Sequence, residues 1–198
     1  EQPPRLALSR GVHVVVDRSS LPINHTVVMA TEDKRRTFAV PLGAYTYIGT
    51  TDEFYPNSDY WPPVHQADID YLLESVHGAM NDVALTNDNV VSVWSGIRPL
   101  VGSEGKSAKE ISRKDEVWVG PLGMLSVGGG KVSAYRAMAE RIVDKVVAYG
   151  NFTAKPCTTS DEPLPGGETT AVPEQHPQLT SVSSARLCRL YGGEVEAV

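Results

Sequence analysis

Three glycines and a lysine, Gly128 to Lys131, separate a strand-like segment from a helical pattern in MLSVGGGKVSAYRAMAERIVDKV. Glycine loses more backbone freedom on folding than any other residue, so such a run is unfavourable unless bare backbone is needed. A strand that leads through glycines into a helix directs backbone N–H groups and the positive end of the helix dipole at one place. The turn is therefore a candidate anion site, and a tight turn that binds nothing is the alternative. Its spacing matches neither the phosphate-binding loop nor the dinucleotide fingerprint.

Arg98 in VWSGIRPLVG is a second candidate. It precedes Pro99, which restricts the backbone on both sides of the peptide bond. An arginine held in this way could grip a phosphate or a carboxylate with two parallel hydrogen bonds. The alternative is an ordinary surface ion pair.

Four further residues are candidates at strand positions. His13 lies in GVHVVVDR, flanked by valines of the opposite strand face, and both a structural histidine and a catalytic base remain open. Thr50, Thr51 and Asp52 follow a strand in YIGTTDEF, where they would orient a substrate hydroxyl or cap the next turn. The other histidines show no metal-ligand spacing, so we expect no metal site.

The elements that must position these residues are short strands and two helices. Closely spaced β-branched and aromatic segments between residues 11 and 51 predict antiparallel strands, because parallel neighbours need long crossovers. Apolar residues at helical spacing predict helices over Ala67–Met80 and Ser133–Tyr149. The predicted fold is α+β, a mostly antiparallel sheet with two main helices.

Composition narrows the function classes. The 198 residues are 41% hydrophobic, with 18 Lys and Arg against 24 Asp and Glu, giving a formal net charge of -6. A chain without a basic excess is not expected to bind nucleic acid. The two cysteines lie far apart in sequence and predict no disulfide framework, so a cytoplasmic location is the default.

Three segments are predicted along the chain. Residues 1–150 form the sheet-and-helix domain, and 151–182 form a Pro-, Thr- and Gly-rich linker. Residues 183–198 begin a helical unit, with Ser183 or Ser184 as the expected N-cap. The chain opens without Met and ends within a helical pattern, so we expect it to be a piece of a longer protein.

Several segments together resemble the FAD-dependent glycerol-3-phosphate dehydrogenases, a branch of the D-amino-acid-oxidase-like flavoproteins. The resemblance covers most of residues 9–167, and the tail is similar to the opening of that family's C-terminal helical domain. The matching segments are SRGVHVVVDR, FAVPLGAYTYIGTTD, ADIDYLLESV, VVSVWSGIRPL, EISRKDEVW, LSVGGGKVSAYRAMAE and EPLPGG.

The resemblance implies roles for the candidate residues. The glycine turn would lie against the flavin ring, so that Gly128, Gly129, Gly130, Lys131, Val132 and Ser133 contact FAD. The helix N-terminus would stabilise negative charge that develops at the flavin edge. Arg98 would bind substrate, with Thr51 and Asp52 beside it, and His13 would stand near the C2 hydroxyl as the candidate base. We therefore expect His13, Arg98 and the turn to converge on one concave site.

One departure limits the resemblance. No G-x-G-x-x-G follows a strand here, and Gly128 stands where an aromatic or larger residue is expected. The chain therefore resembles the substrate-domain portion of the family without its dinucleotide-binding unit, and we expect it to be colourless and inactive alone. The complete enzyme would oxidise glycerol 3-phosphate to dihydroxyacetone phosphate and pass electrons to a quinone or to oxygen. It would be cytoplasmic, with peripheral attachment to the inner face of the cell membrane left open. The alternative is a non-catalytic module that binds small anions or another protein.

Overall fold

The computed structural model of the chain describes residues 6–101, 115–168 and 178–197, which divide between two compact units, Glu1–Val132 and Ser133–Val198. The strands are β1 (Leu6–Asp17), β2 (Val27–Ala30), β3 (Arg36–Leu42), β4 (Tyr45–Gly49), β5 (Glu53–Phe54), β6 (Val90–Val101), β7 (Asp115–Val119) and β8 (Leu125–Gly129). The helices are α1 (Gln66–Ala79), α2 (Tyr135–Gly150) and α3 (Ser181–Tyr191). Short 3-10 turns cover Asn87–Asn89, Val132–Ala134 and Gly192–Ala197.

The first unit is built on an antiparallel sheet in which β1 is central. Strands β4 and β5 pair with one edge of β1, and β6 pairs with the other along nearly its whole length. Strand β3 then pairs with β4, and β2 with β3, while β7 and β8 form a separate antiparallel hairpin. Every pairing among the described residues is antiparallel, which confirms the predicted α+β fold.

The core lies between one face of this sheet and α1. Val12, Val14 and Val16 on β1 are fully buried, and Leu72 and Val76 of α1 are fully buried against them. The alternation along β1 follows from the period of two in a strand, which sends intervening residues to the opposite face. The other face of the sheet is thus left for the candidate site.

The two main helices lie where the apolar spacing predicts them, within the few residues by which helix ends are usually uncertain. Helix α1 spans Gln66–Ala79 against the predicted Ala67–Met80, and α2 spans Tyr135–Gly150 against Ser133–Tyr149. Helix α2 belongs to the second unit, where none of its residues is buried.

The expected N-cap of α3 was wrong. The helix begins at Ser181, and Thr180 is its N-cap, with an extended backbone and a hydroxyl that accepts the Ser183 N–H at 3.2 Å. Ser183 and Ser184 already lie inside the first turn, so neither can occupy the non-helical cap position.

The segment before α3 makes backbone contacts with the end of that helix. The Gly193 N–H donates to the Gly166 carbonyl at 2.9 Å, and both Gly166 and Gly192 have positive φ. A Cβ at either Gly166 or Gly192 would overlap the other segment's backbone, which explains the glycines there. The division into segments 1–150, 151–182 and 183–198 stays a prediction.

Candidate active site

One face of the sheet carries the candidate catalytic residues, because residues that pair directly across antiparallel strands point to the same side. His13 pairs with Trp94 in the β1–β6 ladder, and Ser9 pairs with Arg98. His13 and Arg98 therefore share the face opposite the core valines. Their pairs are four positions apart in the ladder, which corresponds to about 13 Å along the strands.

The side chain of Arg98 crosses β1 above Gly11. Its Nη2 donates to Thr50 Oγ1 at 2.6 Å and its Nη1 to the Thr51 carbonyl at 3.3 Å, while Nη1 lies 3.5 Å from Asp52 Oδ1. These acceptors belong to the segment after β4, on the opposite side of β1 from β6. A Cβ at Gly11 would overlap the guanidinium, so the side chain can take this path only over a residue without a side chain.

His13 is held in a similar way. Its ring lies over Gly49, where a Cβ would overlap it, and stacks on the Trp94 ring with centroids 4.8 Å apart and planes 10° apart. Burial, and to a smaller extent the positive charge of Arg98, lower the pKa of His13 from 6.5 to about 4. His13 is therefore neutral at pH 7, and its buried Nδ1 has no hydrogen-bond partner in the part of the chain that the structure describes.

Bare backbone separates His13 from Arg98. Gly11 and Gly96 pair with each other between the pair that contains His13 and the pair that contains Arg98. The guanidinium fills the space above Gly11, whereas apart from Gly96 and its chain neighbours no atom of the described residues lies within 4 Å of the Cβ position of Gly96. This position is open space between the pair that contains the imidazole and the pair that contains the guanidinium, and we call it the recess. It suits a small molecule with an anionic group toward Arg98 and a polar group toward His13.

Gly128 and Gly129 end β8 and Gly130 follows it, and the structure gives two different reasons for glycine at these positions. Gly129 and Gly130 have φ of 76° and 86°, in the left-handed region that favours glycine. At Gly128, a Cβ would lie only 3.0 Å from Val101 Cγ2 and 3.2 Å from the indole of Trp118. A larger residue at 128 would therefore require Val101 or Trp118 to shift by a few tenths of an ångström.

The residues after the glycines are open. Lys131, Val132 and Ser133 are exposed, Val132 to 91%. Within the second unit, the N-cap of α2 is Ala134, which makes no side-chain cap hydrogen bond, and the first turn carries no acidic residue. The N–H groups at this terminus thus have no capping side chain. Contact of residues 128–133 with FAD stays a prediction, as does their convergence with His13 and Arg98.

Thr51 and Asp52 lie beside Arg98, in the loop between β4 and β5. The Thr51 side chain is 3% exposed, and its hydroxyl accepts the Val12 N–H at 3.0 Å. Asp52 accepts a hydrogen bond from the Ser9 hydroxyl and approaches the guanidinium. Their predicted contact with substrate is untested, and both have partners within the protein.

Sequence reasoning gave no site role to five residues around the recess, which are Ser9, Gly11, Gly49, Trp94 and Gly96. The available signal was that GVH, YIGTT and VWSGIR each place a glycine within two residues of a polar or aromatic residue. That signal has meaning only once β1 is known to pair with both β4 and β6, because the register brings the glycines opposite functional side chains.

A buried ion pair fixes the sheet beneath the site. Arg10 is 4% exposed and donates to both carboxylate oxygens of Asp68 at 2.8 and 3.0 Å. It also donates to the Pro63 carbonyl at 2.5 Å and to Glu53 at 3.1 Å. Asp68 in turn accepts the His65 N–H at the start of α1. The pair therefore ties β1, β5 and α1 together one residue away from the Gly11 crossing.

A metal site and a membrane-spanning helix are two other features that bear on function. Among the described residues, no group of three or more His, Cys, Asp or Glu side chains is arranged to hold a metal ion. None of the helices there has the length and apolar character needed to cross a membrane.

The low pKa of His13 can be measured directly. We expect NMR titration of the purified chain to place the His13 midpoint at about 4 instead of 6.5. Arg98→Leu should raise the midpoint, because the guanidinium charge contributes to the shift. His13→Gln identifies the resonance, and a wild-type midpoint near 6.5 would contradict the geometry.

The same shift makes stability depend on pH. Between pH 6.5 and 4 the unfolded chain binds the proton at His13 and the folded chain does not. The free energy of unfolding should therefore fall as the pH falls through this window. His13→Gln should remove this part of the dependence, measured by urea unfolding at several pH values.

Comparisons with known proteins show what the chain is similar to. Aerobic glycerol-3-phosphate dehydrogenase from Staphylococcus aureus strain USA300 is 44% identical over 170 residues, covering 83% of this chain and 30% of that protein. The protein of the same name from strain NCTC 8325 gives the same values. The chain thus spans about 30% of the length of these relatives. The X-ray structure of glycerol-3-phosphate dehydrogenase from Bacillus halodurans complexed with FAD has a TM-score of 0.79 and 35% identity, covering 96% of this chain and 39% of that chain.

A family model identifies the broader group. The DAO model, described as FAD dependent oxidoreductase, matches residues 1–136. This match covers more than half of the chain and includes the whole recess and the glycine turn. The chain therefore belongs to the DAO family of FAD dependent oxidoreductases.

Proposed function

We propose that this chain is the substrate-binding portion of an FAD-dependent dehydrogenase that oxidises glycerol 3-phosphate to dihydroxyacetone phosphate. The observation that carries the proposal is the recess over Gly96, with Arg98 at one end and His13 at the other. The names of the relatives, 44% identical over 170 residues, support glycerol 3-phosphate as the substrate.

Arg98 would bind the substrate through its phosphate or through its reacting oxygen. Its guanidinium is already fixed by Thr50 and Thr51, so little side-chain freedom is lost on binding. The two roles differ kinetically. Loss of uniform phosphate binding raises KM alone, whereas loss of a contact that strengthens in the transition state lowers kcat.

His13 would accept the proton of the C2 hydroxyl at an imidazole nitrogen as the C2–H bond breaks. When bound, FAD supplies the two-electron oxidation. A pKa of about 4, set mainly by burial, makes His13 a weak base at pH 7. An anionic substrate beside Arg98 would offset the guanidinium charge, the smaller of the two causes, and so raise the pKa of His13 in part.

The glycine turn is proposed to contact the edge of the flavin ring. Gly129 and Gly130 leave the backbone bare in a conformation that other residues rarely adopt. The α2 terminus lacks a side-chain cap, so its N–H groups have no competing acceptor from a capping residue. We assign Gly128–Ser133 to FAD contact, with Lys131 adding positive charge.

The electron acceptor is proposed to be a quinone, with oxygen as the alternative that the same residues would serve. We propose a cytoplasmic location on the basis of the cysteine usage, with peripheral attachment to the inner face of the membrane, which would suit a quinone acceptor.

The isolated chain should be inactive. Affinity for FAD in this class would come largely from its pyrophosphate at a helix N-terminus of a dinucleotide-binding unit. The sequence contains no such fingerprint. A few N–H contacts at about 0.5–1.5 kcal/mol each are small against an association cost of roughly 4–15 kcal/mol. We expect the purified chain to be colourless, and its visible absorbance spectrum, in which bound flavin would appear, is the measurement that checks this.

The experiment uses the holoenzyme, meaning this chain together with the FAD-binding part of the family, encoded in the same gene or supplied as a separate polypeptide. Dye reduction should occur with glycerol 3-phosphate and be far slower with glycerol, which lacks the phosphate. Equal rates with both compounds would exclude Arg98 as a phosphate ligand. Anion binding without turnover would favour the non-catalytic module.

A further inference from the structure

Asp52 lies at the centre of a hydrogen-bonded chain that the proposed chemistry does not use. Its side chain is 13% exposed, and Oδ1 both accepts the Ser9 hydroxyl and lies 3.5 Å from Arg98 Nη1. Ser9 is fully buried and pairs with Arg98 in the β1–β6 ladder. The buried Ser9 hydroxyl on β1 thus orients the Asp52 carboxylate, in the loop between β4 and β5, toward the Arg98 guanidinium of β6.

The main chain of Asp52 is held as well. Its carbonyl accepts a hydrogen bond from Arg35 Nη1 at 3.3 Å. Arg35 is itself paired with Asp33 and lies 4.9 Å from the centre of the Tyr71 ring. Asp52 is therefore fixed from both its side chain and its backbone before any ligand arrives.

We infer that Asp52 is a positioning residue that holds the Arg98 guanidinium across Gly11, with Ser9 fixing Asp52, and is not itself a ligand of the substrate. Thr50 and Thr51 offer Arg98 neutral acceptors, and Asp52 adds the negative charge. Charge-assisted contacts are stronger than neutral ones, so Asp52 should decide which rotamer the long side chain adopts.

Electrostatics argue against direct substrate contact. A carboxylate close to a phosphate disfavours binding, because like charges repel strongly in a partly buried site. The same carboxylate paired with Arg98 orients the cation toward the recess. The inference rests on the proposed function only for its kinetic consequence, since the contacts among Ser9, Asp52 and Arg98 exist without substrate.

The kinetic test is a double-mutant cycle in the holoenzyme with glycerol 3-phosphate. Asp52→Asn keeps the shape and removes the charge, and we expect kcat/KM to fall about tenfold, as for the loss of one charge-assisted contact. In an Arg98→Leu background the same change should have less than about a twofold effect, because its target is gone. Asp52→Glu should restore part of the activity. Effects that multiply in the double variant would overturn the inference.

Glu53→Gln is the matched control. Glu53 is the next residue, carries the same charge and pairs with Arg10 instead of Arg98. We expect kcat/KM to change less than about twofold. Ser9→Ala should lower it about twofold to threefold, which provides a second variant if Asp52→Asn does not fold.

A readout without turnover separates this inference from the proposed function. Phenylglyoxal modifies arginines, and peptide mass spectrometry of the purified chain gives the rate at Arg98. We expect Asp52→Asn to raise that rate about fivefold to tenfold and Glu53→Gln to leave it unchanged. If the holoenzyme does not oxidise glycerol 3-phosphate but phenylglyoxal modifies Arg98 faster in Asp52→Asn, the proposed function is wrong and the inference is supported. If the holoenzyme oxidises glycerol 3-phosphate but the modification rate at Arg98 does not rise in Asp52→Asn, only the inference is wrong.

Discussion

Replacement of Gly11 by alanine should lower kcat/KM of the holoenzyme for glycerol 3-phosphate about a hundredfold, comparable with the loss of one preorganised electrostatic donor. The new methyl group would occupy the space now taken by the Arg98 guanidinium. The arginine would have to leave its acceptors at Thr50 and Thr51, and the recess would lose its cation. Steady-state kinetics of the variant holoenzyme give the size of the effect.

The same change should leave stability nearly intact. The guanidinium is the flexible end of a long side chain, and Gly11 does not have positive φ, so alanine fits the backbone. In a strand, alanine is favoured over glycine by about 0.5–1 kcal/mol, which offsets part of the displaced contacts. Gly78→Ala in α1 is the control, and activity should not change. Apart from its chain neighbours and the backbone of its own helix, no atom of the residues that the structure describes lies within 4 Å of the Cβ position of Gly78. Full activity of Gly11→Ala would show that Arg98 need not cross the sheet there.

Asp68→Ala should lower the free energy of unfolding by about 3–5 kcal/mol, the range for removing one partner of a buried ion pair. Arg10 would be left as a charge that is only 4% exposed and has lost two hydrogen bonds at 2.8 and 3.0 Å. The N-cap of α1 would lose an acceptor as well, because Asp68 also accepts the His65 N–H at 2.9 Å.

Urea unfolding of the purified chain measures this loss. Asp70→Ala is the matched control, because Asp70 lies two residues further along the same helix, is exposed and accepts a hydrogen bond from the Gln66 side chain. It should cost no more than about 0.5 kcal/mol. The double variant Arg10→Met with Asp68→Leu should recover much of the loss, since an apolar pair leaves no uncompensated charge. A loss below about 1 kcal/mol for Asp68→Ala would mean that the pair is not a structural anchor.

The fold was largely predictable from local patterns. Short β-branched segments close together in sequence can pair only as antiparallel neighbours, and the apolar spacing of Leu72 and Val76 suffices to predict α1. The cap of α3 was missed because three hydroxyl residues follow Thr180 within four positions, and any of them satisfies the cap preference.

The site was predictable only in part. His13 and Arg98 stand out by residue type, but the recess depends on β1 pairing with β6 across more than 80 residues of sequence. Tertiary structure alone determines that Gly11 pairs with Gly96 and that the Arg98 side chain crosses above Gly11. Neither contact produces a periodic pattern in the sequence. The Thr51 hydroxyl accepts the Val12 N–H, a contact that its residue type alone did not predict, and its contact with substrate stays a prediction.

We propose that His13 and Arg98 form the substrate end of a flavin-dependent oxidation of glycerol 3-phosphate. The absorbance spectrum of the anaerobic holoenzyme before and after addition of glycerol 3-phosphate tests this proposal. We expect the flavin absorbance to bleach with glycerol 3-phosphate, and to bleach much more slowly in the Arg98→Leu variant. A flavin that stays oxidised with glycerol 3-phosphate, or bleaches equally fast in both proteins, would contradict it.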